Sequence, residues 1–236
     1  MAGKMVTGQA PGARGSGAAL AGRSASRVDL RGLTITTAIA VAAHDKLAAL
    51  EVGDEIELLV DRFPALVADL QAWCRATGHE LVELAEDGES RCVTVRKGDA
   101  HLNVERVAIV VSHDGLEELL SPLGFALAAA LSGAHVSVYL QGPAVRVLTP
   151  GFQPRLRGLA RPFSRFARSG LEKAGHVAAA EKLQQLQKLG GQLYVCGPSL
   201  DHFRVDPATL AFEQVIVCEY LTFMEVMQQS TVQLYA

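Results

Sequence analysis

Residues Arg106–Val111 read Arg-Val-Ala-Ile-Val-Val, an almost unbroken apolar run of strand length. A strand that is apolar on both faces must be covered on both, as inside a parallel sheet with helices above and below. Val136–Leu140 and Leu193–Val195 repeat the pattern, and Val215–Val217 and Val232–Tyr235 are candidate fourth and fifth strands. Helical periodicity fills the spaces between them: Leu116–Leu131, Glu172–Leu189 closed by Gly190-Gly191, and Tyr220–Gln228. Strands alternating with helices imply right-handed crossovers and a three-layer α/β/α domain with a mainly parallel sheet. Only Gly142 to Arg168, rich in Pro, Gly and Arg, has no readable period.

The chain before this run follows a different pattern. Val28–Leu30 reads as a short strand, and Thr36 or Thr37 is placed to cap a helix reaching Leu50, with Ile39, Ala43 and Leu47 on one face. Glu55–Val60 is a second strand. Pro64 suits the first turn of a second helix carrying Leu66, Leu70, Trp73 and Cys74, which Gly78 ends. Leu81–Ala85 and Arg91–Arg96 flank Glu86-Asp87-Gly88-Glu89 as a hairpin. The order βαβαββ predicts a small two-layer α/β sandwich over residues 27–98, joined by the short linker Lys97–Ala100 to a second domain over 101–236. Residues 1–26, rich in Gly, Ala and Ser, are expected to be a disordered tail.

Composition narrows the function. The 236 residues are 49% hydrophobic with a formal net charge of −3, so nothing draws the whole chain to nucleic acid or to an anionic membrane. No apolar stretch approaches membrane-span length. The four cysteines, Cys74, Cys92, Cys196 and Cys218, form no CxxC pair and no zinc-spaced cluster, so no metal and no cofactor is expected. Free thiols suit a reducing compartment, and the expected location is cytoplasmic.

Two stretches carry a resemblance to known families. Val28-Asp29-Leu30-Arg31-Gly32-Leu33-Thr34-Ile35-Thr36 and Leu70-Gln71-Ala72-Trp73-Cys74-Arg75-Ala76-Thr77-Gly78-His79-Glu80-Leu81 resemble the two signatures of a TusA-like sulfur-carrier domain. In that family a Cys-Pro pair stands where this chain has Ile35-Thr36, so the resemblance implies the fold without its nucleophile. In the second half, Ala108-Ile109-Val110-Val111-Ser112, Asp114-Gly115-Leu116-Glu117, the stretch Leu123–Tyr139 and Leu193-Tyr194-Val195-Cys196 resemble the DsrE/DsrF-like sulfur-relay family. The cysteine at the place of Cys196 is the sulfur carrier there.

The residues themselves support Cys196 as the chemical candidate. It ends an apolar strand, and Gly197-Pro198-Ser199 can begin a helix. The carboxyl ends of parallel strands form the ligand crevice of an open α/β sheet, and a helix start there favours a thiolate. The alternative is a small buried apolar residue at a strand end. Cys218 also follows a buried run and is a candidate second or resolving thiol, or else packing. Cys74 shares the apolar helix face and reads as core, whereas Cys92 reads as solvent-facing. His113 is a candidate thiolate partner or a solvated loop residue; Asp114 is expected to cap the following helix. His79 reads as a packing or capping residue, and His202 and Arg204 follow Cys196 without a fixed direction.

Arg155, Arg157, Arg161, Arg165, Arg168 and Lys173, interrupted by Phe152, Phe163 and Phe166, form a basic run. It suits a solvated helix face with its phenylalanines in the core, or else a basic flap or docking surface for an acidic partner; a nucleic-acid partner is not expected. The leading expectation is a sulfur-relay protein holding a persulfide on Cys196, a sulfurtransferase-type carrier if active, with the first domain as a docking module. Its partners would be sulfur-donor and sulfur-acceptor proteins, and by family resemblance it would form a homo-oligomer through the second domain. The rival is a non-enzymatic interaction or regulatory protein of a sulfur-transfer system.

Overall fold

The computed structural model describes residues 26–63, 65–99 and 105–236. The expectations for the tail, for Pro64 and for Ala100 fall outside them, although Ser26 already opens a strand.

The first half is a two-layer sandwich. Its sheet runs β1-β2-β4-β3, with β1 (Ser26–Asp29) parallel to β2 (Glu55–Asp61), and β4 (Ser90–Arg96) antiparallel to both β2 and β3 (Glu80–Asp87). Helices α1 (Thr36–Ala48) and α2 (Leu66–Thr77) cover one face. Ile39, Ala43, Leu47, Leu70, Trp73 and Cys74 pack there against Ile56, Leu58, Val60, Val93 and Val95. Gly78 ends α2 in the left-handed conformation, φ +76°, which costs a glycine little. The expected threonine cap of α1 is absent. Ile35 holds the extended N-cap position without a side-chain bond, and Thr36, already helical, is buried instead.

The second half contains a five-stranded sheet, all parallel, in the order β8-β7-β6-β5-β9. The strands are β5 (Arg106–Val111), β6 (His135–Leu140), β7 (Gln192–Cys196), β8 (Ile216–Cys218) and β9 (Val232–Tyr235). Because β5 is apolar at every position after Arg106, it feeds two separate cores. Val107, Ile109 and Val111 join Val138, Leu140, Leu193 and Val195 beneath α3 (Leu116–Leu131) and α5 (Ala179–Lys188). Ala108 and Val110 join Tyr139, Tyr194 and Cys196 beneath α7 (Tyr220–Gln228). The three-layer expectation therefore holds, with one layer consisting of a single short helix.

The expected helix over 172–189 is two helices. α4 (Ser164–Lys173) stops before Gly175, which takes φ +89°, and α5 starts at Ala179. A β-carbon at Gly175 would meet Leu33 of the first half at 3.1 Å, so the break is also a contact point between the halves. Both pieces are amphipathic, which is why the pattern appears continuous in one dimension. The unreadable stretch holds two 3-10 helices, Gly142–Leu148 and Gly158–Phe163; the first buries Ala144, Val145, Val147 and Leu148.

The two halves share packing. Leu127 and Leu131 of α3 complete the first core, while Thr34 donates from both its amide and its hydroxyl to the Ala174 carbonyl at 3.4 and 2.7 Å. Among the described residues no helix is long and apolar enough to cross a membrane.

Candidate functional site at the carboxyl edge of the parallel sheet

Strand β7 ends at Cys196, which is also the N-cap of α6 (Gly197–Phe203). The register pairs Cys196 with Cys218 of β8. Neighbouring strands lie about 4.8 Å apart, and paired positions of a parallel ladder present their side chains to the same face. The two thiols are therefore adjacent, unlinked and on the α7 side of the sheet. Cys196 is 2% exposed, whereas Cys218 is half-buried on the edge strand. Burial, and then the neighbouring Cys196, pushes the Cys218 thiol above its ordinary range.

A third group closes the site. Tyr139 of β6 is 1% exposed, stacks on Phe223 of α7 with ring centroids 4.7 Å apart, and meets Tyr220 edge-on at 6.3 Å. Its hydroxyl is buried without a hydrogen bond of ordinary geometry. Burial first, and the Cys196 thiol beside it second, drives its ionisation far up, so it remains a neutral O–H donor. Buried hydroxyls almost always have partners, and an orphan next to a cysteine calls for an explanation.

The other candidates separate from this pair. His113 lies in the loop after β5, half-buried on the same edge; β6 intervenes, so the strand carrying it is about 10 Å from β7. Asp114 does not cap α3: Gly115 is the N-cap without a side-chain bond, and Asp114 pairs with Arg146 at 2.6 Å. A guanidinium within reach outcompetes a backbone amide for the carboxylate. His202 and Arg204 are exposed at the far end of α6. Cys74 is core, its thiol pushed up by burial to about 11. Cys92 is half-buried between Leu59 and Ala85 rather than freely solvent-facing. His79 accepts a hydrogen bond from the Gly98 amide at 3.2 Å and meets Trp73 edge-on.

Ile35 lines a groove with Trp73, Phe125 and Leu131, between the first half and α3. That is the opposite side of the parallel sheet from the Cys196 thiol. The loop holding Ile35 thus does not face Cys196 within one chain. Two features escaped the sequence: the Cys196–Cys218 register and the orphan Tyr139 hydroxyl. Both cysteines close apolar strands, which was the available signal; nothing in sequence order ties Tyr139 to either.

Comparison with known proteins agrees with this architecture. The family model described as DsrE/DsrF-like matches residues 105–234, and the one described as Sulfurtransferase TusA matches residues 27–97. No curated protein matches the chain. Among solved structures, ychN protein from E. coli aligns over 57% of this chain and 100% of its own, at 14% identity with a TM-score of 0.43.

Proposed function

Because the chain belongs to the DsrE/DsrF-like family, with a TusA match ahead of that region, we propose that it serves sulfur relay by holding sulfur as a persulfide on Cys196. The Cys196 thiolate attacks the outer sulfur of a donor persulfide, R–S–SH. The new S–S bond forms as the donor's S–S bond breaks, and the donor leaves as its thiolate. The observation that supports this reading is the buried Tyr139 hydroxyl beside the Cys196 thiol: it makes no hydrogen bond of ordinary geometry among the described residues, and as a neutral donor it can donate to sulfur held on Cys196. Cys218 is the second thiol, one strand outward and more exposed. His113, the candidate thiolate partner, shares the sheet edge two strands away from Cys196 and makes no contact with it.

The TusA-like part, residues 27–98, is a docking module in this reading, since Ile35 cannot take sulfur; residues 101–236 are the carrier. Donor and acceptor proteins meet the α7–β8 face, where Ile216, Val217, Tyr220, Leu221 and Met224 are exposed. The same apolar face supports a homo-oligomer through the second half. Free thiols support a cytoplasmic setting, and the chemistry requires no metal or cofactor.

A second reading has its own support: Cys196 is 2% exposed and Ile35 carries no nucleophile. Both suit an interaction or regulatory protein that keeps the folds without transfer. Incubation with a low-molecular-weight persulfide followed by mass spectrometry separates the two. Under the first reading Cys196 gains one sulfur, Cys196→Ala gains none there, and Tyr139→Phe loads normally but sheds the sulfur several-fold faster. An unlabelled Cys196 in folded protein overturns it in favour of the second.

A further inference from the structure

The segment from Arg155 to Arg168 is turned inside out. On an amphipathic surface helix the apolar side chains face the core. Here Leu159, Phe163 and Phe166 are 98%, 62% and 78% exposed, and of α4 only Ser164 is buried. The expectation that these phenylalanines belong to the core is wrong for Phe163 and Phe166; only Phe152 packs there.

The arginines line two adjoining clefts instead. One of about 820 Å³ holds Arg146, Arg155, Arg157 and Arg161, and the other, of about 390 Å³, is lined by Arg155, Arg161, Arg165 and Arg168. Among the described residues these six guanidiniums have two carboxylate partners, Asp114 paired with Arg146 at 2.6 Å and Glu118 paired with Arg157 at 2.8 Å. The surplus of positive charge sits in a chain whose net charge is −3. The segment is also fixed. The Leu116 amide donates to the Arg155 carbonyl, the Leu156 amide to the Ser164 hydroxyl, and that hydroxyl to the Arg161 carbonyl.

We infer that this surface docks a segment of a partner protein in which carboxylates alternate with apolar or aromatic side chains. The carboxylates enter the clefts and form bidentate pairs with guanidiniums, and the apolar residues cover Leu159, Phe163 and Phe166. Concavity decides against a lipid bilayer, whose flat surface would meet the phenylalanines and leave the clefts unfilled. Against a polynucleotide, the whole chain carries a net charge of −3 and shows no nucleic-acid-binding motif. Docking here is independent of sulfur loading, because Cys196 lies beneath α7 on the other side of the sheet.

The test is fluorescence anisotropy on the full chain with four probes: poly-glutamate, the copolymer poly(Glu,Tyr), a single-stranded oligo-dT, and phosphatidylserine vesicles. The copolymer should bind at least ten-fold tighter than poly-glutamate, weaken with salt, and bind Cys196→Ala equally well. Arg155→Glu/Arg161→Glu/Arg165→Glu should abolish both polypeptide affinities. Phe163→Ser/Phe166→Ser should abolish only the copolymer's advantage. Tighter binding of oligo-dT or vesicles, salt-insensitive binding by the unmodified chain, or no copolymer binding overturns the inference. Circular dichroism monitors folding of the variants, and the salt and probe comparisons on the unmodified chain decide the matter if a variant misfolds.

Discussion

At the scale of single residues, ionisable groups record which sites are built for a charge and which are not. Cys74 is pushed up to about 11 by burial, so it stays a thiol at neutral pH and serves the core. Tyr139 is held neutral beside Cys196, and a neutral phenol can donate to sulfur whereas a phenolate cannot. His79 gives a stability prediction. Burial, followed by the charges of His44 and Lys97, holds its imidazole below its ordinary value of 6.5, and its ring nitrogen already accepts from Gly98. In the unfolded chain it takes up a proton near 6.5; in the folded chain it does so only at lower pH. Its contribution is therefore complete above the unfolded value and is lost as pH falls through the folded one. Thermal melts of the full chain should drop between pH 7 and 5, and His79→Gln should flatten part of that slope; an unchanged slope would refute the assignment.

At the scale of elements, turns and junctions are where this fold tolerates least. Gly98 follows β4 and lies against the end of α2, where a β-carbon would fall on the Gly78 carbonyl. Its amide also holds His79. Gly98→Ala should cost about 1–3 kcal/mol, the usual range for overpacking, measured by urea unfolding. Gly88 in the β3–β4 turn is the control: its φ is +62° and the space around it is open, so Gly88→Ala should cost roughly 1 kcal/mol, from backbone conformation alone. Equal losses would show that the Gly98 contact is not a constraint.

At the scale of the whole molecule, two exposed apolar surfaces face different ways. One is the inside-out segment at Arg155–Arg168. The other lies over the thiol pair, on β8 and α7, where Leu221 is 89% exposed and β8 is an edge strand of only three residues. An exposed edge beside an apolar helix face is a ready site for self-association. If the second half self-associates through this face, as proposed above, sedimentation or light scattering should find an oligomer that Leu221→Glu converts to monomer without lowering the melting temperature. A variant that stays assembled moves the interface elsewhere.

The one-dimensional pattern determined the parts that rest on local periodicity. The continuous apolar run of β5 required two covered faces, and the alternation of strands and helices required parallel pairing. The glycine stop after α2 and the loss of a nucleophile at Ile35 could be read residue by residue. Tertiary structure alone decided the rest. The span Glu172–Leu189 is interrupted at Gly175, which takes φ +89° and lies against Leu33, more than a hundred residues away. Asp114 left its expected cap for Arg146, a partner from another strand's loop. Phe163 and Phe166 carry a core-like pattern yet face solvent, because amphipathicity states that one side differs from the other, not which side faces inward. Strand-end cysteines are visible in sequence; their register, and the hydroxyl buried beside one of them, arise only when distant strands pair.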